Sequence, residues 1–101
     1  MANHRKNDRM RILIFKEGAT WYGAALELNI VESGDDPREV MLLLDEAIRG
    51  YIKAAQKAKL NYSILNQTID PEYEKLWAQA EAEVPTPLKI YSTSSLMLSA
   101  I

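Results

Sequence analysis

Apolar residues along this chain fall first into short solid runs and then into helical periodicity. Met10 to Phe15 (MRILIF) is a compact apolar run rich in isoleucine, which predicts a strand with one well-covered face. Lys16-Glu17-Gly18-Ala19-Thr20 follows as a turn, with Gly18 free to take positive φ. Trp21 to Ala25 predicts a second strand, its aromatics suited to a pleated surface and its small residues to close packing. Leu26 to Asn29 reads as a tight connection or a bulge, and Ile30-Val31-Glu32 as a third short strand. Three antiparallel strands in a meander are the simplest arrangement of these runs.

The periodicity then changes to that of a helix. In Ser33-Gly34-Asp35-Asp36-Pro37-Arg38-Glu39, Asp36 suits the N-cap, Pro37 the first helical position and Glu39 the third. Gly34 is read as the residue that lets the chain turn sharply out of the strand. Val40, Leu43, Leu44, Ala47, Ile48, Tyr51, Ile52 and Ala55 recur at steps of three and four, predicting a helix to about Lys59 that lies across the sheet. Asp45 and Arg49 are i,i+4 neighbours on its wet side, and Lys53, Lys57 and Lys59 crowd the end where the helix dipole favours cations. Gly50 interrupts the pattern and suggests close packing against a neighbour.

Asn61 to Thr68 is a connection, or holds a short strand over Tyr62-Ser63-Ile64-Leu65. Asp70-Pro71-Glu72 opens a second helix with a narrow apolar stripe of Tyr73, Leu76, Trp77 and Ala80, ending before Pro85-Thr86-Pro87. Leu88 to Ile101 sets apolar residues among serines and threonines, a strand-like tail that would add an edge to this sheet or to a partner's. The expected organisation is a flexible basic leader (1–9), an αβ core (10–66) and an extension (67–101) packed on the core or on a partner subunit. The fold class is α+β: a three-stranded meander, a crossing helix, a second short helix and a strand-like tail.

Charge changes this picture more than length does. The 101 residues carry twelve basic and fourteen acidic side chains, but the balance is uneven. Arg5, Lys6, Arg9 and Arg11 against Asp8 give residues 1–11 a charge of +3, which leaves the rest of the chain at −5. An acidic body disfavours general binding to a phosphate backbone, which needs clustered Lys and Arg. With no cysteine in the chain, disulfides, thiolate catalysis and cysteine-based metal sites are excluded. No apolar run approaches the ~18 residues of a membrane span, and the polar start lacks the apolar stretch of a signal peptide. A cytoplasmic protein is therefore expected.

The chemistry-bearing residues do not assemble into a catalytic set. His4, the one histidine, lies in the polar leader, where nothing holds it rigidly. Capping accounts for Asp36, and adjacent carboxylates such as Asp35 and Asp36 on a turn seldom converge on one substrate. Gly18, Gly23, Gly34 and Gly50 fit no phosphate-cradling fingerprint. Trp21 and Tyr22 could stack on a nucleobase, but Glu17, Glu27 and Glu32 surround them instead of Lys and Arg. No catalytic residue, metal site or cofactor is expected, so the chain reads as a binding protein and not an enzyme.

Residues 11–52, about two-fifths of the chain, go further than class. The apolar strand Ile12–Phe15, the turn Glu17-Gly18 and the strand start Trp21-Tyr22 lead through a third strand to Gly34-Asp35-Asp36 and Glu39-Val40. The helix then carries Glu46-Ala47-Ile48. This ordered set resembles the HicB-like antitoxin domain, the partner of HicA-type mRNA-cleaving toxins, with Asp36 standing where that family usually has Thr or Ser. The resemblance implies a β-β-β-α-β core of partial RNase H-like fold without catalytic carboxylates. It also implies masking of a small basic toxin. Many members carry a C-terminal operator-binding helix-turn-helix or ribbon-helix-helix module; residues 60–101 show neither.

The expected function is thus stoichiometric binding of a small basic toxin protein by a homo-oligomer. Trp21, Tyr22, Glu27, Glu32 and Trp77 are the candidate contacts, and Asp36 and Glu39 the structural helix cap. A stand-alone HicB-like domain acting as a dimeric nucleic-acid-binding transcriptional regulator is the alternative. That role would use the basic leader and a swapped C-terminal strand. A relict metal-dependent RNase H-like nuclease is a third, and needs clustered carboxylates.

Overall fold

The computed structural model describes residues 9–58, 68–86 and 88–97. They form β1 (Arg9–Glu17), β2 (Thr20–Ala25), a 3-10 turn (Leu26–Leu28), β3 (Ile30–Gly34), α1 (Pro37–Lys57), α2 (Pro71–Glu81) and β4 (Lys89–Met97). The four strands make one antiparallel sheet in the order β3-β2-β1-β4. The architecture is α+β, a meander crossed by a long helix, followed by a short helix and a closing strand. Residues 1–8 of the leader, the short strand considered over Tyr62–Leu65, Lys59 and residues 98–101 lie outside the described residues. Arg9, assigned to the leader above, is the first residue of β1.

The helices cover opposite faces of the sheet. Met10 and Ile14 of β1 and Trp21 and Ala25 of β2 pack against Val40, Leu44, Ile48, Ile52 and Ala55 of α1. Leu13, Phe15, Ala24 and Leu26 face the other way and pack with Leu76, flanked by Tyr73 and Trp77 of α2. The apolar run of β1 therefore has two covered faces, where the sequence suggested one. The reason is that α2 and β4 close the second face, and no local pattern in residues 10–15 announces that. Each fully buried aliphatic side chain contributes about 1.5–3 kcal/mol. Of the apolar face foreseen for α1, Tyr51 sits on the flank at 37% exposure, because the buried row follows four-residue steps from Val40.

β1 occupies the centre because β4 pairs with its free edge from Lys16↔Lys89 to Arg9↔Met97. A bulge between Ile14 and Phe15 admits Tyr91 as an extra residue. The tail thus joins this chain's own sheet. At the meander's first turn Gly18 has φ +65°, as its place in the sequence suggested.

Two glycines have other reasons than those expected. Gly34 has no left-handed backbone, so turning does not require glycine there; a Cβ would meet Glu39 Oε1 at 2.5 Å and would displace that side chain from the cap. A Cβ added at Gly50 would meet nothing within 4 Å among the described residues, so no close packing with them explains this glycine. Gly23 is the close approach: a Cβ there would lie 2.6 Å from Val40 Cγ1 and 3.0 Å from Ile14 Cδ1, so its absence lets α1 settle on β2.

The caps follow their residue types. Asp36 accepts from the Glu39 N–H at 2.9 Å, and the Glu39 side chain accepts from the Asp35 N–H at 2.9 Å. Asp70 accepts from the Glu72 N–H at 2.9 Å and starts α2. α2 ends with Glu83 at φ +57° and the Val84 N–H returning to the Gln79 carbonyl, a left-handed C-terminal closure. Arg49 and Asp45 pair at 3.0 Å on exposed α1 surface.

Candidate functional site: an acidic, aromatic-lined cleft

Strand alternation decides where the candidate contacts fall. Trp21 lies on the α1 face and Tyr22 on the α2 face. Glu32 pairs with Gly23 and shares the α1 side, whereas Glu27 and Trp77 stand on the α2 side. The five candidates therefore divide between two faces and form no single surface.

Two of them are occupied within the chain. β2 leaves the sheet at Leu26, and Glu27 in the 3-10 turn takes over the hydrogen bonding there. One of its oxygens accepts from the Arg11 backbone N–H at 2.7 Å and the other from Arg11 Nε at 2.7 Å. The rest of the Arg11 guanidinium donates to both oxygens of Glu74 on α2, at 2.9 and 2.8 Å. It also lies 5.6 Å from the centre of the Trp77 ring. Arg11 so joins β1, the turn and α2 in one network. Its hydrogen bond holds the Glu74 carboxyl below the ordinary carboxylate range, against a smaller opposing effect of burial. The Arg11 pKa itself is raised, first by the hydrogen bond to Glu74.

Trp21 is enclosed in another way, by lysines where the sequence pointed to carboxylates, because β4 pairs beside β1 and brings Lys89 next to Lys16. Lys16 and Lys89, directly opposite on β1 and β4, place Nζ atoms 5.6 and 5.9 Å from its ring centre. The half-exposed Tyr91 meets it edge-on at 5.7 Å. Like charges facing across a ladder repel; here the indole face offsets that repulsion.

A concavity lies elsewhere, between α2 and the end of the β1–β2 hairpin. This cleft of about 550 Å³ is lined by Phe15, Glu17, Tyr22, Glu72, Tyr73, Lys75, Leu76, Gln79 and Leu88. Phe15 and Tyr22 stack at 5.5 Å between ring centres, and Tyr73 leans on Phe15 at 6.0 Å. Burial raises the Tyr73 pKa, with further contributions from the charges of Asp70, Glu72 and Glu17. The oxygen Oε1 of Gln79 is shielded from solvent and has no hydrogen-bond partner among the described residues.

No family model, curated protein or solved structure matches this chain. The site is therefore read from its own chemistry. Acid is dense around α2: Asp70, Glu72, Glu74, Glu81 and Glu83 stand against Lys75 alone, a balance of −4 over residues 68–86, equal to that of residues 12–36, where Glu17, Glu27, Glu32, Asp35 and Asp36 stand against Lys16. α1 carries Arg38, Arg49, Lys53 and Lys57 against Glu39, Asp45 and Glu46, a balance of +1.

Tyr22 is the one candidate contact that lines the cleft. Phe15, Tyr73 and Gln79 were not singled out as site residues. The available signal was the apolar stripe of α2 together with an odd-numbered row on β1, but only the tertiary pairing shows that the two meet. Among the described residues, no three of His, Cys, Asp and Glu come together as metal ligands. No helix among them is long and apolar enough to cross a membrane.

Proposed function

We propose that this protein is a HicB-like antitoxin, which binds and masks a small basic HicA-type RNA-cleaving toxin without chemistry of its own. Two features support the reading. Residues 11–52 resemble that domain in the order of their motifs. The carrying observation is structural: residues 68–86, which hold α2, bear a net −4 and stand beside a cleft walled by three aromatic rings. A surface of one sign steers an oppositely charged partner, and aromatic residues in a recess are the usual anchors of protein interfaces. The binding face in this proposal is the α2 side, with Tyr22 retained as a contact and Glu27 and Trp77 supporting it from behind through Arg11. The outer edge of β4 is the proposed contact between copies of the chain, in a homo-oligomer.

Co-expression with the adjacent small basic reading frame tests the proposal. The neighbouring product should arrest growth alone and be neutralised by this protein. The purified pair should associate more slowly as salt rises. A harmless neighbour, or a toxic one that is not rescued, removes the antitoxin reading.

A further inference from the structure

We propose that the cleft between α2 and the β1–β2 hairpin receives an arginine side chain of the partner protein. The inference rests on the reading of a basic protein partner and adds its point of contact.

The walls suit a guanidinium. Phe15, Tyr22 and Tyr73 supply aromatic surface, Leu76 and Leu88 an apolar floor for a methylene stem, and Glu17 and Glu72 carboxylates for the head. Gln79 adds a shielded acceptor with no donor among the described residues. The carboxylates of Glu17 and Glu72 and the Gln79 oxygen all accept from a cation; Lys75, the one cation among the described lining residues, is exposed and makes no ion pair among the described residues. A cavity of about 550 Å³ falls within the ~300–1,000 Å³ of small-ligand sites and so has room for one side chain.

The chain itself shows the same chemistry in use nearby. Glu74 and Trp77 of α2, with Glu27, grip the guanidinium of Arg11 between two carboxylates and an indole. Glu72 and Tyr73, at the start of the same helix, repeat the pairing of a carboxylate with an aromatic ring. There no arginine among the described residues lines the cleft.

The full chain, labelled with ¹⁵N, would be titrated with the peptide Gly-Arg-Gly and with its citrulline counterpart, which keeps the shape and loses the charge. The arginine peptide should shift the amide signals of Tyr22, Tyr73, Leu76 and Leu88 and saturate. The citrulline peptide should bind at least about tenfold more weakly. Glu17→Gln with Glu72→Gln, both on exposed side chains, should weaken the arginine peptide about fivefold or more while leaving the thermal midpoint within a few degrees. Glu46→Gln on α1 should change nothing. Equal binding of the two peptides, shifts scattered away from the cleft, or an unaffected double variant would overturn the assignment. An arginine-selective cleft in a protein that rescues no toxin would instead retire the antitoxin reading and leave the cleft assignment standing.

Discussion

Arg11 is the position at which substitution tests the electrostatics of the fold most sharply. Arg11→Met keeps the apolar stem and deletes the guanidinium. Three charge-assisted hydrogen bonds disappear, one to Glu27 at 2.7 Å and two to Glu74 at 2.9 and 2.8 Å. The two carboxylates are not equivalent: the Glu74 side chain is 44% exposed and rehydrates, whereas that of Glu27 is 13% exposed and keeps an uncompensated charge. The Glu74 share is then about 0.5–1 kcal/mol, as for exposed pairs. The Glu27 share is about 2 kcal/mol, dominated by the stranded charge. The total near 3 kcal/mol lowers the melting midpoint by roughly 12–24 °C for a chain of this size.

The double variant Arg11→Met/Glu27→Gln removes the stranded charge but keeps an amide oxygen to accept from the residue 11 N–H. It should be more stable than Arg11→Met alone by about 1 kcal/mol or more. Urea unfolding of the wild type, both single variants and the double variant measures this. A double variant less stable than Arg11→Met, with additive losses, would show that Glu27 is not held as a buried charge by Arg11.

Two glycines give opposite expectations. Gly23→Ala should destabilise by about 2 kcal/mol because Val40 Cγ1, next to its own backbone, cannot retreat from a Cβ at 2.6 Å. Gly50→Ala, in open space on α1, should stabilise by about 0.5–1 kcal/mol in the same unfolding assay. Asp36→Ala removes the acceptor for the Glu39 N–H and should cost about 1 kcal/mol, read as a lower thermal midpoint. Glu74 sets a pH dependence. Its carboxyl is held below the ordinary range in the folded state, so the unfolded chain takes up the proton first. That stability is complete above the ordinary carboxylate pKa of about 4.3 and is lost as pH falls through the lower folded value. Glu74→Gln should flatten the slope of stability against pH in that window, and an unchanged slope would count against the pairing.

Much of the fold was legible because each element is announced locally. The Asp-Pro caps mark the starts of both helices, and the MRILIF run and the Gly18 turn mark the hairpin. What could not be read was which surfaces meet. Val40, Leu44 and Ile48 announce that α1 has an apolar face. Nothing within residues 10–15 says that α2 covers their other side, since that depends on pairing between segments some sixty residues apart. The site followed the same rule. Trp21 and Tyr22 stood out by type, yet adjacent positions on a strand point to opposite faces. Glu27 stood out by charge, yet Arg11 had already engaged it. The cleft combines a strand, a hairpin end and a helix, and its members become a set only after the sheet has formed.

β1 has a consequence for the order of folding. Its partners come from the two extremes of the described chain: β2 after a tight turn and β4 from residues 89–97. Closing the β1–β4 ladder joins segments some eighty residues apart, so its loop entropy is met late and this ladder is a slow, non-local step of folding. Until then the central strand has an open edge and an uncovered apolar face, bearing Leu13 and Phe15, which is the state most prone to pair with another chain. A chain truncated after α1 would therefore remain in an adhesive intermediate. The serine- and threonine-rich β4 covers that edge of β1, while α2 packs on the Leu13 and Phe15 face, and the open edge of the sheet passes to β4, a strand rich in polar side chains.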